Sequence, residues 1–175
     1  MNQGGRKMNN DTRKLVDIAV LSAIAVVLYM FEIPVFPPLK IDLSDLPVLV
    51  GTYAMGAGSG ILIAFLKNLV HAFTISENPS IIGELANFGY GVFVLLPILH
   101  YRKTNKIASL IGGIIFTAIL MHCFNAWVTF PLYGMPSENK HQILLKVFLP
   151  VNIIKAGVLY LVFTLIKPYL DRRNR

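Results

Sequence analysis

The sequence predicts an all-α integral membrane protein: six transmembrane helices, N and C termini cytoplasmic, and an ordered extracellular loop between helices 1 and 2. Three observations carry that prediction. The 175 residues are 55% hydrophobic and only 14% charged, with a mean hydropathy of +0.62, whereas a soluble domain carries about a quarter charged residues. Apolar runs recur at 15–31, 46–55, 58–73, 81–100, 107–130 and 147–167. Of the 16 Lys and Arg residues, 11 fall in three clusters: Arg6, Lys7, Arg13 and Lys14; Arg102, Lys103 and Lys106; Lys167, Arg172, Arg173 and Arg175. All three face the cytoplasm only if four helices separate the first from the second and two separate the second from the third. The net charge of +7 therefore reads as membrane topology and not as a nucleic-acid surface.

The elements follow in order. The run from Leu15 to Phe31 is preceded by a polar, basic stretch and followed by "FEIPVFPP". That segment lacks a small-residue cleavage site, so the run is expected to be a retained first helix and not a signal peptide. The next loop, "EIPVFPPLKIDLSD", is long, and Pro34, Pro37 and Pro38 restrict its backbone, so it is expected to be ordered. The turn signal "GAGSG" (Gly56 to Gly60) divides the following apolar stretch into helices 2 and 3. The outer loops "TISENPS" and "YGMPSENKHQ" connect helix 3 to helix 4 and helix 5 to helix 6. No internal repeat or low-complexity segment divides the chain. It is expected to be one membrane domain over 1–175, with cytoplasmic tails at 1–14 and 168–175. The single cysteine, Cys123, excludes an intrachain disulfide and is expected to be a small core residue.

The topology assigns a depth to each polar residue inside the apolar runs. Lys67, Asn68 and His71 fall in the outer half of helix 3, and Glu84 and Asn87 in the first turns of helix 4. Asn125 lies near the outer end of helix 5, and Asn152 and Lys155, three apart on one face, near the start of helix 6. At about 1.5 Å per residue all of them lie in the outer leaflet. Singly, each has an ordinary structural explanation, such as a snorkelling lysine or an acid favoured by the helix dipole. Together, four helices converging on one depth predict a polar cavity open to the outside.

From Val92 to Pro97, Ile107 to Ile119 and Gly157 to Ile166, little is polar beyond a few hydroxyls. A channel or proton relay needs polar groups through the whole depth, so the pattern predicts a cup that captures a ligand. Asparagines supply paired donors and acceptors suited to the imide-like edge of a heterocycle, and a lysine suits a ring carbonyl. Phe36, Phe88, Tyr90, Phe124, Trp127, Phe130 and Phe148 are expected near this site, which would suit a flat ring with a polar rim. A lysine at such a position costs roughly 2.5–3.5 kcal/mol on insertion scales, and something must offset that cost.

An intramembrane enzyme is the competing class. Against it, there is no HExxH, no paired-Glu helix motif and no Ser or Cys with a base at one depth. His71, His100, His122 and His141 lie at scattered depths, so no catalytic or metal site is assigned.

The stretch "FPPLKIDLSDLPVLVGTYAMGAGSGILIAFLKNLVHAF" (36–73) resembles the substrate-binding subunits of energy-coupling-factor vitamin transporters, the riboflavin-specific subfamily above all. The resemblance rests on Leu39-Lys40-Ile41-Asp42-Leu43-Ser44-Asp45-Leu46-Pro47, the glycine-rich turn, and Phe65-Leu66-Lys67-Asn68 with His71 nearby. It implies a binding subunit that holds one vitamin beneath its first loop and docks on a transmembrane coupling subunit carrying two ATPases. The chain has no GxxxxGK[ST] loop, so the ATPases would be other chains. The resemblance further implies riboflavin contacts from the first loop (Leu39, Lys40, Asp42) and from Asn125, Asn152 and Lys155, so that the ligand would offset the cost of Lys155. Glu84, Asn87 and Lys67 would either line the cavity or brace it. Ala19 and Ala23, four apart in helix 1, match the small-residue docking pattern of the family. The expected ligand is riboflavin, as transported substrate and not as cofactor. A sister subunit for another vitamin or flavin (folate, a pyridoxine-like ring, FMN) is the alternative within transport. The expected location is the plasma membrane.

Overall fold

The computed structural model describes residues 9–36, 39–74, 81–104, 107–135 and 137–173. Of the segments singled out above, Arg6, Lys7, Pro37, Pro38, Lys106, Arg175 and most of "TISENPS" lie outside the described residues. Among the described residues the main helical segments are α1 (Asn10–Tyr29), α2 (Leu46–Met55), α3 (Ala57–Thr74), α4 (Ile81–Thr104), α5 (Ile107–Phe124) and α6 (Leu149–Arg173). α5 continues through a π-turn, Asn125–Thr129, into Phe130–Leu132, and α6 is preceded by Lys140–Ile143 and a second π-turn, Leu144–Phe148. Four of these units are long and apolar enough to cross a membrane: Ala57–Thr74, Ile81–His100, Leu110–Leu132 and Lys140–Arg172. α2 is apolar but has only 10 residues, and α1 carries Asp11, Arg13, Lys14 and Asp17 early in its length.

Between α1 and α2 the chain forms an antiparallel hairpin, β1 (Ile33–Phe36) with β2 (Leu39–Ile41), pairing Ile33 with Ile41 and Pro34 with Lys40. The proline-rich loop of the sequence is thus a short ribbon. Pro34, at its edge, fits because a proline has no N–H to give to a ladder. α2 tolerates Pro47 because the first helical turn has no N–H partners to lose. It is enclosed by α1, α3, α4 and α6, with Val48, Leu49 and Thr52 fully buried.

The α2–α3 break is sharper than "GAGSG" suggests. Only Gly56 leaves the helix, at φ +93°, a left-handed conformation open mainly to glycine. Gly58 and Gly60 belong to α3. Gly60 has a packing role: a Cβ there would lie 1.9 Å from Thr52 Oγ1 and 3.3 Å from the Val48 carbonyl oxygen. Its missing side chain lets α3 lie directly on α2.

Both π-turns precede a proline by two positions. Phe130 N–H bonds the Asn125 carbonyl and Leu149 N–H that of Leu144, each five residues back. Pro131 and Pro150 have no N–H for the carbonyl four residues behind, and their rings crowd it. A locally widened turn accommodates both. Large apolar side chains face outward along the long helices, among them Ile111, Ile115, Ile119, Leu161 and Leu165, as the solvent of a bilayer demands. Cys123 is exposed on such a face and is not a core residue, contrary to the sequence expectation.

Candidate functional site

A cavity of about 340 Å³ lies between the hairpin and helices α1, α3, α4, α5 and α6, within the range of small-molecule sites. The structure brings Leu39, Lys40, Asp42, Glu84, Asn87, Asn125, Asn152 and Lys155 all to its wall. Two of the five helical contributions come in part through the π-turns. Asn125 and Thr129 begin and end the first, and Phe148 ends the second, one helical turn ahead of Asn152.

The centre of the site is a buried ionic cluster. Lys155 Nζ lies 3.0 Å from Asp42 Oδ2, 3.2 Å from Asp45 Oδ2 and 3.3 Å from Asn87 Oδ1, and 4.4 Å from the centre of the Tyr90 ring. Lys67, with no exposed surface, donates to Asp45 Oδ1 at 2.5 Å and Ser44 Oγ at 2.6 Å. The Ser44 N–H, at 2.8 Å, and its hydroxyl both bond Asp42 Oδ1. Two lysines from α6 and α3 are thus matched by two aspartates from the segment joining the hairpin to α2. Burial alone pushes the Asp42 carboxyl up. Lys155, Lys67 and the Ser44 bonds outweigh that and hold it well below the usual carboxylate range.

This cluster revises the energetic role expected of the ligand. The charge of Lys155 is compensated by Asp42 and Asp45, not left for a ligand to offset. A buried pair of this kind is costly to break, by roughly 3–5 kcal/mol when one partner is removed. Lys67 and Asp45 brace the site from behind and are not on the cavity wall. Asn68 donates to the Ala64 carbonyl at 2.7 Å within its own helix and is also off the wall.

Other polar atoms on residues of the cavity wall are buried and find no hydrogen-bond partner among the described residues: Asn125 Nδ2, Asn152 Nδ2, Thr129 Oγ1 and the Tyr90 hydroxyl. Buried donors and acceptors left unpaired cost about 1–3 kcal/mol each, so these groups mark where a polar ligand edge would be welcome. On the other side, Glu84 Oε1 is 2.7 Å from His71 Nδ1, Glu84 Oε2 is 3.5 Å from the Tyr29 hydroxyl, and the Tyr29 and His71 rings stack at 3.6 Å. At the rim Lys40 pairs with Glu32.

The aromatics differ from expectation. Tyr90 and Phe148 line the cavity, joined by Tyr29 and Tyr133, which sequence reasoning missed. Trp127 is 81% exposed. Phe88 meets Phe65 and Phe124 meets Phe93 edge to face, and Phe130 packs with Leu144 and Phe148 in a small core of its own. Beyond Lys155, α6 turns apolar. There Tyr160 donates to the Val94 carbonyl at 2.7 Å and lies 3.3 Å from Thr117 Oγ1, so these hydroxyls are satisfied internally.

Comparison with known proteins places this geometry. A family model described as the ECF transporter substrate-specific component matches residues 13–167. The riboflavin transporter RibU of Staphylococcus aureus is 37% identical over 93% of both chains. The riboflavin transporter FmnP of Bacillus subtilis is 30% identical over 93% of this chain and 96% of its own. A solved structure of the S component of a bacterial ECF transporter superposes with a TM-score of 0.80 at 33% identity, over 95% of this chain and 99% of that one.

Proposed function

The chain belongs to the substrate-specific components of ECF transporters, and from that premise we propose that it is the riboflavin-capturing subunit of an ATPase-driven importer. The family is one of transporter components and not of enzymes. The observation that carries the choice of ligand is the set of unpaired amides, Asn125 and Asn152, beside Lys155 on one cavity wall. An isoalloxazine ring presents alternating carbonyl and N–H groups at one edge, which such amides can pair in both senses. Tyr90 and Phe148 supply apolar surface for a flat ring. The names of the relatives in Staphylococcus aureus and Bacillus subtilis support the same ligand.

In this reading all six helices belong to one plasma-membrane domain with both termini in the cytoplasm. α2 is a short inner helix shielded by its neighbours, and the hairpin lies over the cavity on the extracellular side. Energy comes from separate chains, a transmembrane coupling subunit and two ATPases. Ala19 and Ala23 are both exposed on α1, where closely approaching helices favour small residues, and they form the docking face. The test is the visible absorption of the protein purified in mild detergent, followed by titration with riboflavin. A flavin band, or quenching of flavin fluorescence at one-to-one stoichiometry, is expected. A colourless protein that leaves riboflavin fluorescence unchanged would return the ligand to another vitamin.

A further inference from the structure

The cavity has two chemically different sides, and the contrast bears on which part of a flavin each receives and on which flavins are refused. On the α5–α6 side the free groups are amides and hydroxyls: Asn125 Nδ2, Asn152 Nδ2 and Thr129 Oγ1, all on residues at least nine-tenths buried. On the α1–α3 side the governing group is a carboxylate. Glu84 is fixed by His71 at 2.7 Å and faces the Tyr29 hydroxyl at 3.5 Å, while Tyr29 stacks flat on His71. A carboxylate has about four lone-pair sites, so Glu84 retains capacity to accept from ligand hydroxyls after those two contacts.

The charges are unequal as well. Among the described lining residues, Glu32, Asp42 and Glu84 are carboxylates, whereas Lys40 and Lys155 are the lysines. Lys40 is engaged by Glu32, and Lys155 by Asp42 and Asp45. Lys67 behind the wall is engaged by Asp45 and Ser44. His71 is the remaining lining group able to carry positive charge, and its contact is with Glu84 itself. None of these cations is left uncommitted for an anionic ligand.

Resting on the reading of this cavity as a flavin pocket, we infer that Glu84, held by His71 and Tyr29, is a specificity-determining residue that receives the polyol tail and rejects a phosphate at its end. The ring edge then faces Asn125 and Asn152. Hydroxyls of a neutral tail donate to the carboxylate. A terminal phosphate brings a charge of about −1.5 to −2 to a wall that, among the described residues, has a surplus carboxylate and no spare cation. Discrimination arises from that repulsion as much as from the attraction of the hydroxyls.

The test uses the full chain in detergent and three probes read by fluorescence quenching: riboflavin, lumiflavin (the same ring without the polyol) and FMN. The wild-type protein is expected to bind riboflavin at least about tenfold more tightly than FMN, the scale of one uncompensated like-charge contact. Glu84→Gln is expected to weaken riboflavin about tenfold, as loss of charged hydrogen bonds does. In the same variant lumiflavin binding stays level and the riboflavin-to-FMN ratio narrows. Equal loss of riboflavin and lumiflavin in Glu84→Gln would overturn the inference, because a merely structural role moves both. Equal wild-type affinity for riboflavin and FMN would overturn it without any variant. Failure of all three probes to bind would instead overturn the flavin reading of the site.

Discussion

At the scale of single residues, the site separates groups that hold from groups that are held in readiness. Lys155 is surrounded by Asp42, Asp45 and Asn87, whereas the Asn125 and Asn152 side-chain nitrogens have no described partner. Asn152→Ala should therefore weaken riboflavin binding by about 1–3 kcal/mol while leaving the melting temperature nearly unchanged, a split readable by fluorescence titration beside a thermal melt. Asp42→Asn should do the reverse first. It removes half the charge that compensates Lys155, and the ligand-free protein should melt earlier, in proportion to a loss of a few kcal/mol. The pH dependence has a definite sign. The Asp42 pKa is depressed in the folded state, so its stabilising contribution is complete above the unfolded carboxylate value of about 3.9. That contribution is lost only as pH falls through the lower folded value. Melting of the wild-type protein between pH 8 and pH 5 should show no loss traceable to Asp42, and Asp42→Asn should reduce stability equally at both ends.

At the scale of elements, glycines and prolines set the geometry that aims these residues. The close approach of α3 to α2 depends on Gly60. Gly60→Val should destabilise the bundle by about 1–3 kcal/mol, the usual penalty of overpacking. Adding Thr52→Ala should recover part of that loss, since Thr52 Oγ1 is the nearest obstacle at 1.9 Å. A melt of the single and double variants checks both statements; no recovery would mean that the Val48 carbonyl is the true obstacle. Asp45 at the start of α2 takes part in the ionic cluster, and Tyr53 near its end donates to Asp171 on α6 at 2.5 Å. α2 is therefore tied to α6 by polar contacts at both of its ends. The two π-turns serve the site more directly, for they carry Asn125, Thr129 and Phe148. Each is announced by a proline two residues later, a signal that apolar periodicity does not contain.

At the scale of the whole molecule, a transporter component must do two separable things, bind its ligand and meet its partners, and on the proposed assignment the residues for each lie apart. Ala19 and Ala23 are exposed on α1, while the cavity takes from that helix only Tyr29 at its far end. The double substitution Ala19→Leu with Ala23→Leu should leave riboflavin titrations unchanged and abolish uptake by cells expressing the complete complex. Normal uptake would remove α1 from the docking face. The helical membrane class was legible in the amino-acid order because hydropathy and basic clusters act over whole segments and need no knowledge of neighbours. The convergence of Glu84, Asn87, Asn125, Asn152 and Lys155 was legible too, since a polar residue in an apolar helix is conspicuous and its depth follows from counting. Pairing was not. That Asp45 shares Lys155 with Asp42, that Lys67 stands behind the wall and that Trp127 lies exposed, off the cavity wall, all depend on helix rotation and on contacts between residues far apart in the chain. Local sequence sets what each segment is and how deep its polar groups lie. Only packing selects, among the groups at one depth, which are neutralised by each other and which stay available to a ligand.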